Sequence, residues 1–87
     1  MAEEQQHWSV YVLRCADGTL YTGITTDVFR RVKEHNEDDK RAARYTRCRR
    51  PLELIYSENV NTRAHAAKRE AEIRKLSRVE KLALCGE

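Results

Sequence analysis

The feature that most constrains this chain is Asp17-Gly18, set between two β-type runs, Val10 to Cys15 and Thr19 to Ile24. Apolar and β-branched runs around Asp-Gly form a β-hairpin, because these two residues accept the backbone conformations that reverse a strand. The register decides what the hairpin presents. A strict two-residue turn would put Tyr11 and Tyr21 on opposite faces of the sheet, since side chains alternate along a strand. A three-residue loop, Ala16-Asp17-Gly18, with Gly18 left-handed at a bulge, pairs Leu13 with Tyr21 and Tyr11 with Gly23, and both phenols then share a face. In that register Gly23, having no side chain, leaves space beside Tyr11 for a ligand or another backbone.

A helix follows at once. Thr26 is positioned to cap it, Asp27 suits the positive first turn, and Val28, Phe29 and Val32 supply apolar residues at helical spacing. At 100° per residue Arg31 and His35 form an i, i+4 pair beside Val28 and Val32. Beyond it, Asn36 to Asp39 break the periodicity. Leu52-Glu53-Leu54-Ile55-Tyr56 reads as a third strand with Leu52, Leu54 and Tyr56 on one face. Asn61 is placed to cap a second helix to about Leu76, and Ser77 a short third one containing Val79, Leu82 and Leu84. The expected fold is α+β, a three-stranded sheet with helices packed on it in the order β-β-α-β-α-α, over one domain at 8–85 after a polar, disordered terminus at 1–7.

At 87 residues the chain is one domain's worth, and such a domain buries only about 60% of its unfolded surface. A shallow surface groove, suited to a polymeric substrate, is expected rather than a large internal cavity. The formal net charge is +3, and its distribution matters more than its size. Six basic residues, Lys40, Arg41, Arg44, Arg47, Arg49 and Arg50, lie between positions 40 and 50 with no acidic one among them. The positive field is therefore local, as a polyanion-facing strip requires, unless neighbouring carboxylates offset it. Tyr45, inside the strip, either stacks on an exposed base or covers the end of the first helix. Cys15, Cys48 and Cys85 have neither zinc-site nor disulfide-framework spacing and read as reduced thiols. With no signal-peptide pattern and no membrane-length apolar run, a cytoplasmic protein is expected.

On the second helix Ala66, Ala67 and Ile73 lie one turn from Glu70, which puts this carboxylate on the face turned towards the sheet. Such a group is costly unless it is paired or binds a cation. Two readings stay open: a metal ligand, or an i, i+4 pair with Arg74.

These residues together resemble the GIY-YIG nuclease superfamily, most of all its small stand-alone bacterial members of the UPF0213 type, over about residues 8 to 82. Ser9-Val10-Tyr11 stands where the family has Gly-Ile-Tyr, and Tyr21-Thr22-Gly23 where it has Tyr-Ile-Gly. Arg31 and His35 match its arginine and the histidine after it, and Arg69-Glu70-Ala71 falls where members carry a metal-binding glutamate. Two departures are visible: the first tripeptide keeps only its tyrosine, and no asparagine follows Asn61.

The resemblance implies a metal-dependent endonuclease that cuts phosphodiester bonds in DNA, in repair or processing of structured DNA. It implies a site of Tyr11, Tyr21, Arg31, His35 and Glu70, with Glu70 holding magnesium or manganese and no small-molecule cofactor. Tyr11 would act as base or water-orienting group, Arg31 on the phosphate and His35 in proton relay, all on one solvent-open face. Lys40, Arg41, Arg44, Tyr45, Arg47, Arg49 and Arg50 are the expected nucleic-acid contacts. RNA remains an alternative substrate, and a binding module of the same fold with little cleavage is the rival function.

Overall fold

A computed structural model describes residues 7–87. In chain order its elements are β1 (Trp8–Arg14), β2 (Leu20–Thr25), α1 (Val28–Glu37), α2 (Arg44–Arg47), β3 (Glu53–Val60), α3 (Arg63–Arg74) and α4 (Arg78–Leu84). This is the expected α+β order with one addition, the single turn of α2 inside the basic segment. The expectation of a disordered terminus falls mostly on residues 1–6, which lie outside the described residues; His7 is exposed and precedes β1.

The hairpin closes through the three-residue loop. Cys15 N–H donates to Thr19 O at 2.8 Å, Gly18 N–H to Cys15 O at 2.9 Å, and Gly18 has φ +85°. Only a residue without Cβ takes that conformation at little cost. Asp17 ties the loop together by accepting from the Thr19 amide and hydroxyl. The resulting register pairs Leu13 with Tyr21 and Tyr11 with Gly23.

β1 is the central strand, antiparallel to β2 on one side and β3 on the other. Alternation along it builds two apolar layers. Val10 and Val12 face Ala66 and Ile73 of α3, with Leu84 and Cys85 from the region of α4. Tyr11, Leu13 and Cys15 face the other way and are covered by Leu52 and by Val28 and Val32 of α1. Val10, Val12 and Ile73 are fully buried, each removing side-chain surface worth about 1.5 to 3 kcal/mol.

Several details differ from the sequence reading. β3 runs on to Val60 and carries a bulge, since Val12 pairs with Tyr56 while Leu13 pairs with Leu54. The extra residue, Ile55, flips the alternation, so Leu54 joins the α1 layer and Tyr56 the α3 layer instead of sharing a face. The cap of α1 is Asp27, whose side chain accepts from Arg30 N–H, and not Thr26; Thr62 caps α3 through His65 N–H, and not Asn61. Phe29 is 83% exposed, because Val28, Val32 and His35 define the inward stripe of α1 and Phe29 lies 100° away from it. Ala67 is likewise exposed on α3, which ends at Arg74. Ser77 and Glu80 form the expected cap of α4, here a reciprocal capping box.

Candidate active site

Tyr11 stands at the middle of the central strand, and its ring crosses the edge strand at Gly23. A Cβ built on Gly23 would lie 2.5 Å from the Tyr11 hydroxyl oxygen. The space that glycine leaves is thus filled by the tip of Tyr11 itself, not held open for a ligand. The inward stripe of α1 brings His35 to the same place, with Nε2 2.8 Å from the Tyr11 hydroxyl. Tyr21 completes a cluster, its ring centroid 6.5 Å from that of Tyr11 and 5.3 Å from that of His35. The two phenols share a face, as the bulged loop requires. They are not both solvent-open: Tyr11 is 1% and His35 0% exposed, and Tyr21 alone of the three is part-exposed.

The basic segment supplies groups that local sequence signals miss. Thr46, fully buried in α2, places its hydroxyl 2.8 Å from His35 Nδ1 and donates to Ala43 O at 3.0 Å. A threonine among arginines carries no sign of this role; only the packing of α2 against α1 reveals it. Tyr45 is 39% exposed and joins this aromatic group. Its ring stacks on Tyr21 at 6.0 Å between centroids, with the Arg49 guanidinium 3.9 Å from its own centroid. A cleft of about 350 Å³ opens beside these rings, lined by Leu20, Tyr21, Thr22, Tyr45, Arg74 and Lys81. A larger one, about 510 Å³, lies along the outer side of α1 among Arg30, Lys33, Glu34 and Glu37 and contains none of the site's aromatic groups.

Arg31 is half-buried, and its Nη1 is anchored by Glu34 at 3.0 Å and by Arg41 O at 2.7 Å. Glu70 sits on α3, which packs against the opposite layer but borders β2, where Arg74 donates to Thr22 O. Of the two partners read for Glu70, a cation or Arg74, the second is in contact with it. Arg74 holds its Oε2 at 3.1 Å, the i, i+4 pair, and its carboxylate also acts on the Tyr11 phenol. Burial, and after it the Tyr21 phenol, push Tyr11 up to about 12; the nearby Arg31 pulls the other way and Glu70 adds to the rise. Burial, then the Arg31 charge, press His35 down to about 4, with Arg50 acting in the same sense against Glu34. At neutral pH the core of the site is therefore a protonated phenol bonded to a neutral imidazole.

A family model described as the GIY-YIG catalytic domain matches residues 7–83. The chain belongs to the GIY-YIG family. It is 54% identical over 77 residues to a UPF0213 protein of Desulfotalea psychrophila, covering 88% of this chain and 69% of that one. To a UPF0213 protein of Halobacterium salinarum it is 52% identical over 75 residues, covering 86% and 95%. Among solved structures, the solution NMR structure of a UPF0213 protein from Bacillus halodurans is similar, with TM-score 0.58, 40% identity and coverage of 92% of this chain and 83% of that one. GIY-YIG membership puts the chain in a nuclease superfamily, and the three-stranded α+β fold agrees with it.

In this GIY-YIG chain the basic strip is less available than its composition implies. Arg49 pairs with Asp17 at 3.1 Å and Arg50 with Asp39 at 2.8 Å, and both are part-buried rather than exposed. Arg41 pairs with Asp38, and Arg47 donates to Asp39 O. Carboxylates from outside the strip thus offset much of its charge, which leaves Lys40, Arg44 and Arg47 as its exposed cations without a carboxylate partner among the described residues. No cluster of three His, Cys, Asp or Glu side chains is found among the described residues. Nor is any of their helices long and apolar enough to cross a membrane.

Proposed function

We propose that the chain is a metal-dependent endonuclease that hydrolyses phosphodiester bonds in DNA, in repair or processing of structured DNA, with magnesium or manganese as the cation. One observation carries this reading: the Tyr21 phenol of β2, the His35 imidazole and Arg31 guanidinium of α1 and the Glu70 carboxylate of α3 all bear on a single group, the Tyr11 hydroxyl of β1. A purely structural core has no use for that combination.

Glu70 would hold the cation. A single hard carboxylate, engaged by Arg74 through one oxygen, fits magnesium, which keeps most of its sites for water and substrate, and does not fit a structural zinc centre. When bound, the cation supplies positive charge that stabilises the attacking and phosphate oxygens. Arg31, fixed through Nη1, keeps its other nitrogens for Tyr11 and a phosphate oxygen, a planar fork matched to that group. Tyr11 at rest stays protonated: values of about 12 and about 4 for Tyr11 and His35 make transfer between them cost on the order of 10 kcal/mol at 1.36 kcal/mol per unit. Cationic charge near the phenol oxygen reduces that cost.

The test is incubation of the protein with branched, nicked and linear DNA and with RNA, in magnesium, manganese or chelator. Cation-dependent cutting of DNA is expected. Glu70→Gln should stay folded and still bind DNA while losing cleavage; full activity in that variant would refute the metal role. The Glu70–Arg74 pair favours a second reading, a nucleic-acid-binding module in which Glu70 serves its helix alone. Binding with no cleavage of any substrate would support it.

A further inference from the structure

We propose that Thr46 is a positioning residue of this site: its hydroxyl fixes His35 in the tautomer that carries its hydrogen on Nδ1, so that Nε2 faces Tyr11 as an acceptor. Its catalytic consequence rests on the nuclease reading; the tautomer does not.

The phenol hydrogen in this buried group has one place to go. Tyr11 is a protonated phenol across the neutral range, and its oxygen has one hydrogen-bonding partner of either sense, His35 Nε2 at 2.8 Å, besides the nearby Arg31, which can only donate. The phenol hydrogen therefore points at Nε2, which must be bare. A neutral imidazole carries one ring hydrogen, so it sits on Nδ1, where Thr46 Oγ1 lies 2.8 Å away. That oxygen accepts because its own hydrogen runs to Ala43 O at 3.0 Å. The chain is directed throughout, from Tyr11 O–H to Nε2, from Nδ1–H to Thr46, and from Thr46 O–H to a main-chain carbonyl.

The opposite tautomer would let Nδ1 accept from the Thr46 hydroxyl at 2.8 Å and, at the long distance of 3.4 Å, from the Ala43 amide, but it takes from the phenol hydrogen the acceptor it has at Nε2. It would also turn Nε2–H against the phenol hydrogen in a pocket where Tyr11 and His35 are closed to water, leaving a buried donor unpaired. The selected direction has a use. With its hydrogen committed to Nε2, the Tyr11 oxygen keeps its lone pairs for donors, the nearby Arg31 among them. α2 thus acts through one hydroxyl, delivered beneath α1.

Long-range proton–nitrogen NMR spectra of the labelled protein near neutral pH read which ring nitrogen bears the hydrogen, with His35 assigned by its absence in His35→Gln. Wild type and Thr46→Ser should show the Nδ1–H form. Thr46→Val, of matching shape but without the hydroxyl, should move the tautomer ratio towards Nε2–H by about tenfold, the worth of one buried hydrogen bond. An Nε2–H form in the wild type, or an unchanged ratio in Thr46→Val, overturns the proposal. Should the valine variant not fold, Thr46→Ala and the wild-type spectrum decide it. If the wild type cleaves DNA, Thr46→Val should lower kcat by about tenfold with KM little changed and Thr46→Ser should restore it; a wild type that cuts nothing defeats the nuclease reading and leaves the spectra to judge Thr46.

Discussion

Protonating His35 means placing a cation where no solvent reaches and where Arg31 and Arg50 already contribute positive charge. Its folded value, about 4, lies below the unfolded 6.5, so the associated stability is complete above pH 6.5 and is lost as pH falls towards 4. Unfolding free energies should drop over that window by roughly 3 kcal/mol from this group, and the fall should be absent in His35→Gln when both are melted in urea from pH 7 to 4. Tyr11 works at the other end. Its folded value is raised, so its contribution holds below about 10 and fades as pH rises towards 12. Gly23 has a different constraint. In Gly23→Ala the new methyl lies 2.5 Å from the Tyr11 oxygen, so the ring must leave His35 or the strand must shift. A loss of about 1 to 3 kcal/mol is expected, with cleavage falling much further than folding; an alanine variant of wild-type activity would contradict this.

At the scale of elements, α2 and the loop before it do more than carry charge. Arg50 donates to His35 O at 2.7 Å and pairs with Asp39, binding the end of α1 to the segment entering β3, and its Nη2 is buried without a partner. Arg50→Ala should therefore cost about 1 to 3 kcal/mol, measured as a lower urea midpoint, in contrast to a surface arginine. The exposed cations behave otherwise. Replacing Lys40, Arg44 and Arg47 together by alanine should leave the melting temperature nearly unchanged, yet flatten the log–log salt dependence of duplex binding by about 2 to 3 if each meets a phosphate. An unchanged slope would place the backbone contacts elsewhere, with Arg74 and Lys81 of the cleft beside Tyr21 next to be tested.

For the molecule as a whole, the sheet separates two layers with different duties. One holds Val10, Val12, Ala66 and Ile73; the other holds Leu13 and Cys15 with the buried phenol. Ile73→Ala opens a cavity in the first and should cost about 2 to 5 kcal/mol, a large part of a total near 5 to 15. Assayed well below its melting temperature it should keep its activity, because Ile73 packs in the layer opposite Tyr11. A proportionate loss of activity in the folded variant would show that the two layers are coupled through β1.

What the sequence by itself determined was local. Asp17-Gly18 and the alternation around it require a hairpin, the 3.6-residue stripe of α1 puts His35 inward, and Ser77 with Glu80 closes α4, because each depends on neighbours within a few positions. The pairing of Tyr11 with Gly23 was also legible, once the loop was taken as three residues. Tertiary structure decided the rest. The bulge at Ile55 depends on how β3 meets β1, 41 positions apart at its Leu13–Leu54 pair, and the deep burial of Tyr11 and His35 depends on layers that no local pattern encodes. Thr46 became a partner of His35, and Asp17 and Asp39 became partners of Arg49 and Arg50, only through packing. Hydrogen bonds and ion pairs are set by distance in space, and composition gives their number of charges without their addresses.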